Sequence, residues 1–186
     1  MDFPAHPFWD FALDVYRKPG VSDACLRLQE SQHLDVNFLL FVCWIGASGG
    51  GVLTRQDVQQ CMAAVGPWHD QVVKPLRGVR RVMKGGFATA PADLSDQLRR
   101  AIQAREIDAE HIEQLILAAT IDRQPDAALP VAERLRHAGR NALMYLTVLG
   151  AAANDDAKAN LSVILAAAFA QISPAAVRTS LDSAAV

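Results

Sequence analysis

From Asp35 to Gly46 the chain reads DVNFLLFVCWIG, its most apolar run, interrupted only by Asn37 and closed by the glycine-rich GASGGG. Two conformations compete for such a run, because periodicity does not separate a buried helix from a buried strand when nearly every position is apolar. As a helix, Asp35 is the N-cap, its carboxylate accepting from amides two or three residues on, and Gly46 supplies the stop. As a strand, it would lead through glycines into a helix at Thr54 and imitate a dinucleotide-binding turn. The glycines stand at 46, 49, 50 and 51, however, so GxGxxG is absent, and no lysine follows as in a P-loop. No second apolar strand follows to build a parallel sheet, so a buried central helix is the reading adopted.

The remaining patterns have the 3.6-residue period of amphipathic helices. Pro7 opens a helix with Phe8, Phe11, Ala12 and Val15 on one side, ended by Lys18-Pro19-Gly20. Ser22 or Asp23 caps a second, with Val21, Cys25, Leu28 and Leu26 turned inward. Thr54 caps a helix carrying Val58, Cys61, Met62 and Val65, which Gly66-Pro67 punctuates. A longer helix from Trp68 to Lys84 follows, with Val72, Leu76, Val79 and Met83 as its apolar stripe. Pro75 removes an amide within it, so the helix restarts or kinks there. Leu94, Leu98, Ala101 and Ile102 mark one further helix, and IDAEHIEQLILAA marks another. DRQPDAALP is the clearest linker. Beyond it the chain turns alanine-rich, with a helix over about 131–153, another over about 156–171, and a frayed tail from Pro174. No stretch alternates as a half-buried strand would. The expected fold is all-α: a compact bundle of about six helices over residues 1–121, with a buried central helix, and an alanine-rich helical hairpin and tail over 122–186, its two helices apolar over most of their circumference and so packed on the core or on a partner.

Composition narrows the classes. With 186 residues, 51% hydrophobic and 20% charged, the chain can bury a substantial core. A net charge of −2, from 18 basic and 20 acidic residues, argues against general nucleic-acid binding. The apolar run is too short to span a bilayer, which takes ~20 residues. Cys25, Cys43 and Cys61 form no CxxC pair and sit among apolar neighbours, which suits reduced thiols in the cytoplasm. MDFPAHPFWDF has no basic segment followed by an apolar one, as a signal peptide would.

The segments FWDFALDVYRKPGVSDACLRLQESQHLDVNFLLFVCWIG and VVKPLRGVRRVMK, with REIDAEHIEQLIL more loosely, resemble a family of short bacterial proteins known only as a domain of unknown function. The resemblance covers Phe8 to Leu117. It implies a helical cytosolic bacterial protein and brings no activity, cofactor or catalytic residue with it.

Candidate chemistry is sparse. An amide at Asn37, inside an apolar surface, needs hydrogen bonds or costs about 1–3 kcal/mol. The preferred reading has it serving exposed amides of the first turn; the functional one has it lining a pocket with Gln29 and Tyr16. Lys74, Arg77, Arg80, Arg81 and Lys84 share one broad arc, suited to phosphate or an acidic partner, yet Glu106, Asp108, Glu110 and Glu113 could neutralise them from a later helix. None of the five histidines lies in HExxH, and His69-Asp70 is only a fragment of an acid–base pair. Asp155-Asp156, the only adjacent acidic pair, sits in an interhelical turn and not in a magnesium-binding cluster. No catalytic residue is assigned, and neither cofactor nor metal ligand is expected. The functional expectation is a cytosolic, non-enzymatic interaction or scaffolding protein with a protein partner or self-association. The alternative is a helical enzyme or binding protein for a small anionic or apolar ligand. Candidate ligand or partner residues are Tyr16, Gln29, Asn37, Lys74, Arg77, Arg81 and Lys84.

Overall fold

A computed structural model describes residues 2–184. Among them are nine α-helices and no strand: α1 (Pro7–Tyr16), α2 (Val21–Gln32), α3 (Val36–Ala47), α4 (Arg55–Trp68), α5 (Lys74–Lys84), α6 (Ala92–Thr120), α7 (Val131–Leu149), α8 (Asp155–Ala168) and α9 (Pro174–Ala184). A π-helical turn, His69–Val73, joins α4 to α5. No helix among the described residues is long and apolar enough to cross a membrane.

The apolar run is the central helix. Asp35 caps α3 by accepting from the amides of Asn37 and Phe38, and every residue from Asn37 to Gly46 is buried. Its main partner is α7, which lies against it so closely that Gly46 meets the backbone of Ala138 with no side chain between. A Cβ on Gly46 would collide with N and Cα of Ala138 and lie 2.7 Å from the carbonyl carbon of His137. Further along the same crossing Asn141, with no exposed surface, donates to the Val42 and Gly51 carbonyls and accepts from the Leu53 amide at 2.7 Å. One side chain therefore supplies the hydrogen bonds that a glycine loop folded into the core would otherwise lack. The loop itself packs on the 121–130 linker, where the Asp126 amide donates to the Ser48 carbonyl.

The alanine-rich end is part of this core. On α7, Leu135, Ala142, Leu143, Tyr145 and Leu146 are all buried, and α8 buries Leu161, Ile164 and Leu165. Most of the apolar circumference of both helices is covered within the chain, by α3, α4 and α9 around α7 and by α2 and α9 around α8, while Val163 of α8 stays 39% exposed. The segment after Pro174 is not frayed: it forms α9, which buries Val177 and Leu181, the latter against Gly139.

Three further boundaries differ from the sequence reading. Gly20, in the left-handed region, caps α2 in place of Ser22 or Asp23. Pro67 lies inside α4, so Gly66-Pro67 punctuates nothing, and the helical path continues to Lys84 with the π turn absorbing the irregularity just before Pro75. The two segments expected over 94–119 are one helix, α6, whose 29 residues span about 43 Å at 1.5 Å each. Only its second half is anchored. Its buried residues begin at Glu106, and α5 buries none. Val79, expected in the inward stripe of α5, is 49% exposed. Thus α5 and the first half of α6 form an antiparallel two-helix arm reaching out from the bundle.

The α3–α7 crossing yields a sharp prediction. Gly46→Ala forces two backbones apart and should cost about 3 kcal/mol or more. Gly78→Ala, with nothing within 4 Å of the added methyl, should not lower the melting temperature. Thermal unfolding of the two variants checks both.

Candidate functional site

Beneath the arm, polar side chains from four elements meet inside the bundle. The base of the arm is held by Trp68, whose indole Nε1 donates to the Ala109 carbonyl at 2.9 Å. The π turn then carries His69 inward while its neighbour Asp70 stays outside, bonded to Lys74. The acid partners of His69 are therefore not Asp70. His69 Nδ1 lies 2.6 Å from Glu113 Oε1 and 3.3 Å from Asp35 Oδ2. Glu113, read from sequence as a surface charge facing the basic helix, has no exposed surface at all.

Both carboxylates are held on their other oxygens. Asp35 Oδ1 accepts from the Asn37 and Phe38 amides, and Glu113 Oε2 accepts from the side-chain amide of Asn37 at 2.6 Å. Asn37 Oδ1 in turn accepts from Gln114 Nε2 at 2.9 Å. The Asn37 side chain thus does not serve the first turn of α3, which Asp35 alone satisfies; it links α3 to α6. Tyr145 of α7 adds a last member, its hydroxyl oxygen accepting from the Asp35 amide.

Burial governs the protonation of this cluster. Loss of solvent, reinforced by the Glu113 charge, pushes the Asp35 carboxyl up to about 7. Burial alone would lower the His69 pKa, but the Glu113 hydrogen bond and the two carboxylate charges outweigh it, so the imidazolium is favoured. A histidinium between two carboxylates is the arrangement that limits the net charge buried here. Among the described residues Asp35, His69 and Glu113 are also the one group that could hold a metal ion, their ligand atoms lying within 4.8 Å of one another.

Next to this cluster runs a groove of about 370 Å³ between the bundle and the arm. Trp9, Leu13 and Tyr16 of α1, Leu26 and Gln29 of α2, and Val36, Asn37 and Leu40 of α3 form one wall. Arg77, Arg80 and Arg81 of α5, with Glu106, Ile107, Glu110 and Gln114 of α6, form the other. Five of the seven sequence candidates, Tyr16, Gln29, Asn37, Arg77 and Arg81, line it; Lys74 and Lys84 do not. The basic arc is largely matched internally. Arg77 bonds Glu106 at 3.2 Å and Glu110 at 2.6 Å, and Arg80 bonds Glu106 through two nitrogens. These pairs hold the Glu106 carboxyl below its ordinary value, although burial opposes them. Arg81 and Lys84 are exposed, and neither has an ion-pair partner among the described residues.

The fold and the cluster together define an all-α bundle with a polar centre and a projecting helical arm. The chain belongs to the family described as a protein of unknown function (DUF2390), whose model matches residues 7–117. That span includes α1 to the buried half of α6, and hence the whole groove and all of the cluster except Tyr145. No curated protein and no solved structure matches the chain.

The cluster makes stability depend on pH with a definite sign. Between the ordinary Asp value of 3.8 and about 7, the folded chain binds more protons at Asp35 than the unfolded one. Raising pH through this window therefore lowers stability. The raised pKa of His69 acts in the same direction, its contribution being lost as the imidazolium deprotonates. The melting temperature should fall from pH 5.5 to pH 8, and Asp35→Asn should flatten that slope. Glu113→Gln leaves the histidinium without its closest counter-charge and should cost about 3–5 kcal/mol. Unfolding scans across pH measure all three.

Proposed function

We propose that this chain is a cytosolic, non-enzymatic interaction protein that docks an acidic, apolar-bearing protein partner on its α5–α6 arm. One observation carries the reading: the arm is both charge-segregated and apolar. From Lys74 to Arg105 it holds eight of the chain's eighteen Lys and Arg residues and only two of its twenty Asp and Glu. It also exposes Val82, Phe87, Leu94 and Leu98, each by half or more. Large apolar side chains grouped on a projecting element mark contact surfaces, and the free cations Arg81 and Lys84 stand among them. Three buried free thiols, each pushed up to about 12 by loss of solvent, suit a reducing cytosol. The rest of the chain has ten basic against eighteen acidic residues, so a second copy meets the same electrostatic requirement. A second reading, binding of a small ligand, is supported by the convergence of Tyr16, Gln29, Asn37, Arg77 and Arg81 on one groove.

Capture from the source cells with the full chain as bait tests the first reading. Arg81→Glu with Lys84→Glu should reduce recovery of an acidic protein at least tenfold without altering the melting temperature, because both positions are exposed. Val82→Asp should do the same. Sedimentation at low and high salt distinguishes a second copy from a different partner. Recovery unchanged by all three substitutions at every salt concentration would remove the arm as the docking surface.

A further inference from the structure

What the groove on the inner side of the arm would hold follows from its charges; the inference rests on the small-ligand reading and not on what docks on the outer face. Three guanidiniums and two carboxylates line the groove. Arg77 spans Glu106 and Glu110, and Arg80 bonds Glu106, so both acids are taken up by the first two arginines. Arg81 has no ion-pair partner among the described residues, which leaves the groove with one unmatched positive charge. That charge is open to a ligand, because the Arg81 side chain is exposed.

Helical spacing places it at one end. On α5, Arg81 stands one turn beyond Arg77 toward the arm tip. On the antiparallel α6, Gln103 stands one turn beyond Glu106 in the same direction. Gln103 Oε1 accepts from Arg99 at 3.3 Å, so the NH₂ of this exposed side chain is a second donor at the same end. The walls are otherwise rich in apolar surface, with Leu13, Tyr16 and Leu26 on the bundle side and Ile107 on the arm. Of these, Tyr16, Leu26 and Ile107 are exposed, and so available to a ligand. A volume of about 370 Å³ lies within the range of small-molecule sites. One unmatched cation calls for a single negative charge, and the planar fork of a guanidinium suits a carboxylate. We infer that the groove binds an amphipathic monocarboxylate, its apolar body between α1 and Ile107 and its carboxylate on Arg81 and Gln103 at the outer end.

The test is a titration of the full chain, ¹⁵N-labelled, with three probes of one shape: 4-butylbenzoate, the uncharged 4-butylbenzamide and the cation 4-butylbenzylammonium. The indole N–H of Trp9 and the side-chain NH₂ of Gln103, both on the groove, report binding. The benzoate should shift both saturably and bind about fivefold or more tightly than the benzamide, with the cation weakest. Arg81→Gln should erase the preference for benzoate and leave the affinity for benzamide unchanged. Lys84→Gln, also exposed but off the groove, should preserve the preference. Ile107→Ala should weaken benzoate and benzamide alike. Equal affinity for benzoate and benzamide would overturn the inference and leave the small-ligand reading standing. So would an equal loss of preference in Lys84→Gln, since the anion would then answer to the general field of the arm. Absence of a saturable Trp9 shift with any probe up to millimolar concentration would overturn both.

Discussion

The closeness of two backbones sets the geometry of this bundle. Gly46 and Ala138 bring α3 and α7 together without an intervening side chain, and from that point the two helices run antiparallel along their length. Position by position the crossing then assigns the polar pairs. Val42 meets Asn141, which closes the glycine loop, and Phe38 stacks on Tyr145 with ring centroids 4.3 Å apart. Asp35, at the N-terminus of α3, donates its backbone amide to the Tyr145 hydroxyl oxygen. The residue that caps the central helix is thus placed by a contact about 16 Å away along α3, given a rise of 1.5 Å per residue. Packing and site are consequences of one constraint.

A second constraint is electrostatic. Glu113 has lost its water entirely, and a carboxylate so placed is tolerated only with several partners. It has two, His69 on one oxygen and Asn37 on the other. The π turn is what delivers His69. Lys74 donates back to the His69 carbonyl, a residue further than in an α-helix, and Pro75 lacks the amide that would continue the regular pattern. The extra residue widens one turn and rotates His69 toward α6 while Asp70 remains in solvent. Helical irregularity and buried charge therefore occur together for a physical reason.

The helices with side-chain caps were legible in the sequence: Asp35 and Thr54 start α3 and α4 where the sequence places them, and Pro7 opens α1. Continuity was not. Gly66-Pro67 and Pro75 read as breaks because propensity describes isolated helices, whereas here α6 packs along the segment and holds it helical through both prolines. Of the cluster, Asn37 stood out as an amide in an apolar run and Asp35 as a helix cap, while His69 was read only with its neighbour Asp70. The complement of Asn37 was present too, since Glu113-Gln114 interrupts the apolar pattern of HIEQLILAA. Two polar interruptions on different helices are a signal of mutual satisfaction, but an isolated sequence does not say which helices are neighbours. Spacing also misassigned Glu113: Glu106, Glu110 and Glu113 share a helical face, yet the arm ends near Glu110, so the first two meet arginines and the third meets the core.

The arm follows from the same difference. A two-helix hairpin in which α5 buries no residue has little hydrophobic stabilisation of its own. What fixes its angle to the bundle is the Trp68 bond at its base and the Arg77 and Arg80 pairs with Glu106 and Glu110, which also form the far wall of the groove. Guanidinium–carboxylate pairs that are partly buried are directional and less screened than surface ones, so they set an orientation more firmly than they add stability. The width of the groove and the presentation of the outer face are therefore not separate variables. Any occupant of the one acts on the same four ionic side chains that position the other.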